Sequence, residues 1–401
     1  MTIVSVLVDT TVVGSAAGSL IWRRGASGSG GRRRWWTAGG PEAALALVVG
    51  LILLNEVLVS VYVLRVHGGD PSFVTRYLAP GWFETDRGSL IRRLAAVWPA
   101  PGLLAPSVLR VQATLELPFG LLAYLSALRW LDAGLYRRVA RSPLLGCAAV
   151  AYTVVFCAVE WFFHSPYTAW DIGLRLVSAV VTPLWIAAIA GREQGTAAEP
   201  GRASSAAELL LFCGAAGALG YLVLVLYGTV LLYNLGLLGH QLPGAAVALM
   251  ILVGCRTLAR RLRPSAPPGP AVAAVGSGLR WFLVLFFAPA LAVRYAVNFG
   301  TPWVALGAVA VLALTAAWLA LRATASVRLL LTLAGAAVLG LLAGYAAVSA
   351  VADAYYEATA LRGFAVFVLT VLAACLLADR LSGGSGGSGT ADAAGRALPP
   401  W

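Results

Sequence analysis

The residues in this chain with the means to do chemistry are carboxylates set in apolar sequence. Glu56 follows Asn55 in GLILLNEVLVSVYVL, Glu116 stands in TLELPFG, and Glu160 opens EWFFHSPYTAWDIGLR. An ionisable side chain at membrane depth is expensive to keep and is a functional candidate by default. It has to be paired, protonated or reached by water. Glu160 and His164 lie four residues apart, as do Asp171 and Arg175, so each pair shares a helix face. The first pair has the make-up of an acid–base couple, in which the carboxylate tunes the imidazole. The second has the spacing of a boundary salt bridge. Glu56, Glu116, Glu160, His164 and Asp171 are therefore the candidate catalytic residues.

The candidate substrate-binding residues are Asn55, Trp161, Tyr167, Trp170, Arg175, Arg294 and Tyr295. Their aromatic faces attract a cationic centre, and the two arginines are counter-ions for an acid. Each group also has a plainer reading. Glu56 has Arg294 or Arg175 as a structural partner, and the aromatics fit an interfacial belt. Pro118, two residues after Glu116, frees a backbone carbonyl and kinks a helix there, as where a membrane helix lines a cavity.

Other chemistries find little support. His67, His164 and His240 fall on separate segments, with no HExxH or HxxxH spacing, so no metal ligand set is expected. HGGD and SGSGG (residues 27–31) do not sit between a strand and a helix, which excludes a nucleotide phosphate loop. No DDxxD or NDxxD pattern is present to hold magnesium on a prenyl diphosphate. The cysteines (Cys147, Cys157, Cys213, Cys255, Cys375) lie in apolar runs without a CxxC pair and read as small packing residues. The sequence specifies no cofactor.

Composition dictates the elements that must position these groups. The chain has 401 residues, 60% hydrophobic and 11% charged, against roughly a quarter charged in soluble domains. With a mean hydropathy of +0.83, it cannot cover a water-facing surface. The fold class expected is all-α, a polytopic membrane bundle of 10–11 transmembrane helices without a soluble domain. Runs of about 20 apolar residues, the length a bilayer requires, lie near 41–65, 112–130, 143–163, 171–191, 207–235, 243–256, 279–298, 302–321, 328–352 and 363–379. The run 243–256 is short and needs Leu237 and Leu238 or the residues after it. Thr2 to Trp22 is an eleventh candidate. It lacks the basic start of a signal peptide, because Arg23 and Arg24 follow it, and so reads as a span with its N-terminus outside.

All 29 basic residues are arginine, and the net charge is +12. In a multispanning chain this excess marks cytoplasmic loops rather than a nucleic-acid surface, so no nucleic-acid partner is expected. Placing the loops after 22, 130, 191, 256, 321 and 379 in the cytoplasm gathers 20 arginines there and leaves nine opposite. That expectation describes a multi-pass cell-membrane protein with a cytoplasmic C-terminus and an acid-rich extracytosolic face. Residues 1–381 read as a single membrane domain and 382–401 as a flexible tail. Residues 192–206 and 263–278 read as cytoplasmic linkers. The long outer loop 66–111 carries Leu90, Ile91, Leu94, Ala95 and Trp98 at helical spacing, the pattern of an amphipathic helix at the membrane surface. It would serve as a lid or a platform for lipid access.

Together these features lead the sequence reading to a membrane-embedded enzyme. It would act on a hydrophobic isoprenoid or lipid-linked substrate by carboxylic-acid general acid/base chemistry in an outward-facing cavity. Proton-initiated terpene cyclisation and polyprenyl-linked transfer both fit. An exporter of a hydrophobic small molecule is the first alternative, although the cytoplasmic halves carry few polar groups and no internal repeat appears. A non-catalytic membrane subunit is the second. The expected partners are the lipid bilayer and the hydrophobic or lipid-linked substrate.

Overall fold

The structure is a computed structural model that describes residues 40–72, 89–97, 108–131, 133–162, 167–192, 206–231, 234, 236, 238–262, 268–279, 326–350 and 356–383. Among these residues every regular element is helical. The helices are α1 (Gly40–Val66), α2 (Ser89–Val97), α3 (Val108–Leu131), α4 (Ala133–Arg141), α5 (Pro143–Phe162), α6 (Ala169–Arg192), α7 (Ala206–Leu226), α8 (Leu238–Arg261), α9 (Pro270–Leu279), α10 (Val327–Ser349) and α11 (Tyr356–Gly383). Seven of them are long and apolar enough to cross a membrane: α1, α3, α6, α7 with its continuation to Leu231, α8, α10 and α11. The protein is thus a multi-pass, all-helical membrane protein. The short run 243–256 is completed at both ends, since α8 starts at Leu238 and ends at Arg261. The candidate spans 2–22, 279–298 and 302–321 fall, apart from Leu279, outside the described residues.

The chain divides into two compact units. The first contains α1 to α6, the later part of α7 and most of α8. Its centre is α3, which packs against α1 and α6 and whose residues from Val111 to Leu128 are all buried. Only a helix walled on every side can carry Gln112, Thr114 and Glu116 through an apolar layer, because lipid offers polar groups no partner. By contrast α8 exposes Leu242, Val247, Leu249, Met250 and Ile251, as a helix bathed in lipid should.

Polar links set the helix directions. At one end of the unit, Glu42 of α1 accepts from Arg129 Nη1 (2.5 Å) and Trp130 Nε1 (3.1 Å) of α3, so these helices are antiparallel. At the opposite end Arg110 of α3 meets Asp171 of α6. Farther along, Ser178 of α6 meets Thr114 of α3, so α3 and α6 run in the same direction. α4 is a short amphipathic helix that buries Tyr136 and Ala140. Arg141 at its end donates to the Ala190 carbonyl (2.8 Å), satisfying one of the orphan acceptors of the last turn of α6.

Pro118 removes the N–H that would bond the Thr114 carbonyl one turn earlier. Ser178 replaces it: its hydroxyl donates to Thr114 O at 2.8 Å. With the Ser178 proton committed there, Thr182 Oγ1, 3.4 Å away, is the donor in the contact between the two hydroxyls. The expected proline-freed carbonyl therefore exists, and a neighbouring helix satisfies it.

The amphipathic segment of the long loop is α2. Ile91 and Ala95 are buried against Val61 of α1, with Val57, Leu58 and Tyr62 packed beside them, while Leu90 and Val97 remain exposed. Half of its apolar arc is thus covered by protein rather than by the membrane surface. The HGGD motif that follows α1 closes that helix. Gly68 and Gly69 adopt φ values of 59° and 92°, and the amides of His67 and Gly69 both reach the Val63 carbonyl.

The second unit contains the start of α7 together with α9, α10 and α11. Its core joins Leu209 and Cys213 to Val272, Val275, Val371, Leu372 and Cys375. Residues 270–279 are helical rather than a linker. Pro270 occupies the first helical position, where its missing N–H is harmless, and Asp379 of α11 caps the end by accepting from the amides of Ala271 (3.0 Å) and Val272 (3.1 Å). α10 and α11 pack through glycine. A methyl on Gly340 would lie 2.6 Å from Val371 Cγ2 and 2.9 Å from the Phe367 ring, and one on Gly344 would lie 3.1 Å from the Gly363 carbonyl.

Candidate functional site

The polar residues of α3, α5 and α6 converge inside the first unit. Gln112 and Glu116 lie one turn apart on α3, and Tyr152 and Phe156 have the same spacing on α5. On α6 the corresponding pair is Asp171 and Arg175. Glu116 is eight residues below the start of α3, about 12 Å along the helix axis. It forms an ion pair with Arg175 through Oε2 and Nη1, at 3.2 Å. Its other oxygen accepts from the Tyr152 hydroxyl at 2.6 Å. Both partners are essentially out of solvent, with side-chain exposures of 5% for Glu116 and 0% for Arg175. Each of its oxygens therefore has its own partner, Tyr152 on one and Arg175 on the other.

Arg175 is enclosed by aromatics. Its guanidinium carbon lies 4.4 Å from the Phe156 ring centre and 5.0 Å from that of Tyr152, within range of a cation–π attraction. Phe156 in turn meets Tyr167 edge-on at 5.3 Å. The Tyr167 hydroxyl donates to Gln112 Oε1 at 3.2 Å. Arg175 thus has one carboxylate at one nitrogen, while Nε and Nη2 are buried without an acceptor.

A second pair lies nearer the helix ends. Arg110 Nε is 3.3 Å from Asp171 Oδ1, and Arg110 is a quarter exposed. The other Asp171 oxygen accepts from the amide (2.9 Å) and hydroxyl (2.7 Å) of Thr168. The Thr168 hydroxyl oxygen accepts in return from the Asp171 amide. This reciprocal cap starts α6 and explains why the i, i+4 bridge between Asp171 and Arg175 does not form. Asp171 is committed to Arg110 and to its own helix start, and Arg175 points to Glu116 instead.

The remaining candidates divide as follows. Asn55 and Glu56 are buried on the stripe of α1 that includes Ile52, Val59 and Val63. Arg175, one of the two partners considered for Glu56, is engaged by Glu116. Tyr167 belongs to the cluster. Trp170 is 54% exposed, which fits an interfacial aromatic and not a wall of the cluster. The side chains of Glu160, Trp161, His164, Arg294 and Tyr295 lie outside the described residues. Sequence reasoning missed Arg110, Gln112, Tyr152 and Phe156. The last two carried a usable signal, because their i, i+4 spacing puts two aromatic rings on one face of α5.

Among the described residues, no three His, Cys, Asp or Glu side chains gather closely enough to hold a metal ion. His67 lies against Tyr62, with ring centres 5.3 Å apart, and His240 is exposed on α8. In the second unit a cavity of about 270 Å³ borders Asp379, Arg380 and Val272, but the Asp379 carboxylate is committed to capping α9. No family model, curated protein or solved structure matches the chain.

Proposed function

We propose that the protein is a membrane-embedded enzyme acting on a hydrophobic, isoprenoid or lipid-linked substrate, with Glu116 as its acid–base residue. The observation that carries this reading is the Glu116 carboxylate, held within a membrane span by Tyr152 and Arg175. A carboxylate that accepts from two donors enters a reaction as a base. It would take the proton of an attacking hydroxyl as that oxygen bonds to the transferred group and the bond to the lipid carrier breaks, the carrier leaving with the electron pair. Tyr152 would fix the orientation of Glu116 and Arg175 would offset its charge. This favours transfer over proton-initiated cyclisation, which needs a neutral acid at the start. The low dielectric of the span strengthens each of these interactions. The arginine distribution supports a topology in which the Arg110 end is extracytosolic, so the substrate would approach from the outer leaflet.

The test is untargeted lipid and isoprenoid profiling of a producing strain and its deletion, complemented with wild type, Glu116→Gln or Glu56→Gln. The expected result is a precursor that accumulates in the deletion and in Glu116→Gln at normal protein level. A wild-type profile from Glu116→Gln would sink the proposal. Unchanged total pools with a compound shifted between cells and medium would identify an exporter instead.

A further inference from the structure

The guanidinium of Arg175 is only half used. Nη1 serves Glu116 Oε2 through one contact of 3.2 Å, and the other Glu116 oxygen is taken by Tyr152. The familiar two-pronged arginine–carboxylate pairing is therefore not made. Nε and Nη2 are the two nitrogens that project parallel N–H bonds from one edge of a guanidinium, the fork that matches two oxygens of a carboxylate or phosphate. On Arg175 that whole edge is buried without an acceptor, while the side chain has no solvent exposure. The Phe156 and Tyr152 rings attract the cation, and the Tyr152 hydroxyl lies close to the guanidinium but is committed to Glu116, which leaves Nε and Nη2 without a hydrogen-bond acceptor. Leaving charged donors unsatisfied out of water is costly.

The surroundings suit an incoming oxyanion attached to a hydrophobic body. Tyr167 and Phe156 supply an apolar flank. Arg110, a quarter exposed and paired with Asp171, adds a second cation one turn nearer the helix ends. The Asp171 oxygens are committed to Arg110 and Thr168, so Asp171 is not an acceptor available to Arg175.

We infer that the Nε–Nη2 edge of Arg175 is a binding seat for an anionic oxygen group, a phosphate or carboxylate. The inference rests on the acid–base reading of Glu116 and adds the substrate class: the lipid-linked substrate carries its negative charge beside the carboxylate that takes the proton. Binding leaves the Arg175–Glu116 contact in place, because the two acceptors use different nitrogens.

The full-length chain, purified in dodecyl maltoside, tests this without turnover. Monododecyl phosphate, dodecanoate, inorganic phosphate and dodecyltrimethylammonium are titrated separately, with binding and the thermal unfolding midpoint as readouts. Saturable binding of an anion with a raised midpoint is expected, and none for the cationic amphiphile. A preference for dodecyl phosphate or dodecanoate assigns the seat to a lipid headgroup, and equal binding of inorganic phosphate to a free anion. Arg175→Lys loses the fork and weakens binding about tenfold or more, whereas Arg138→Gln, at an exposed position of α4, leaves it unchanged. Glu116→Gln removes a competing negative charge and binds the anion at least as well, which keeps the test decisive if Arg175→Lys fails to fold. Equal binding of anion and cation, unchanged binding in folded Arg175→Lys, or lost binding in Glu116→Gln overturns the inference. Glu116-dependent lipid turnover without anion binding would overturn the seat alone, and anion binding without any lipid change in the deletion strain would overturn the enzyme reading alone.

Discussion

The hydroxyl of Ser178 should be worth keeping only because Pro118 is a proline. Ser178→Ala deletes the 2.8 Å hydrogen bond to the Thr114 carbonyl, which has no amide partner one turn on. An unsatisfied buried carbonyl costs roughly 1–3 kcal/mol, and hydrogen bonds between membrane helices measured by double-mutant cycles average about 0.6 kcal/mol. A loss of about 1–2 kcal/mol is therefore expected. In a Pro118→Ala background the new amide bonds Thr114 O within α3, so removing Ser178 should then cost at most about 0.5 kcal/mol, a coupling of about 1 kcal/mol between the two positions. Reversible denaturant unfolding of the four proteins in mixed micelles measures this cycle. Equal costs for Ser178→Ala in the two backgrounds would refute the reasoning, since the serine would then not be serving the carbonyl that the proline frees. The bond matters beyond stability, because Ser178 lies three residues beyond Arg175 on α6 and sets its register against Glu116.

Three further outcomes follow from the same geometry. Tyr152→Phe removes the 2.6 Å donor to Glu116; it should cost about 1–3 kcal/mol in unfolding and reproduce part of the Glu116→Gln lipid phenotype at equal protein level. Gly340→Ala places a methyl against Val371 and Phe367 and should destabilise the chain by about 1–3 kcal/mol, whereas Gly335→Ala, with nothing within 4 Å, should be neutral or stabilising by up to about 1 kcal/mol; thermal melts of the pair check this. Asp379→Ala removes both acceptors from the start of α9 and should cost about 1–2 kcal/mol in the same melts, with Asp379→Asn intermediate.

The spans were legible because bilayer crossing leaves a long apolar signature that needs no partner to be recognised. α8 was underread at both ends, since Pro243 near its start and the arginines at its end look like breaks in hydropathy although the helix continues through them. Glu116, Arg175 and Asp171 were each visible as charges in apolar sequence, but not their pairing. The i, i+4 rule links Asp171 to Arg175, and that rule describes isolated helices. A packed helix offered Asp171 a competing arginine and its own N-terminal amide, and offered Arg175 a carboxylate on α3. The spacing of Tyr152 and Phe156 showed a shared aromatic face but not a polar role, because a tyrosine in an apolar run reads as packing until something places an acceptor beside its hydroxyl. Ser178 was hidden for the same reason, since the carbonyl it serves lies 64 residues earlier. The helix at 270–279 was obscured by the prolines before it and by its need for a cap from Asp379, more than a hundred residues away.

The shared direction of α3 and α6 has an electrical consequence. The peptide dipoles of a helix sum to roughly half a positive charge at its N-terminus and half a negative charge at its C-terminus. At the Arg110 end, α3 and α6 both present N-termini, while α1 and α5 present C-termini. In the first turn of α6 Asp171 offsets the positive pole and also pairs with Arg110 at the start of α3, while the first turn of α3 holds no acid of its own, so its pole is the less compensated of the two. Arg65 in the last turn of α1 offsets the opposite pole there. The end of this unit is therefore polarised across its width, most positive where α3 begins. In a medium that screens poorly, such a lateral gradient draws negative charge toward the helices that carry Glu116 and Arg175.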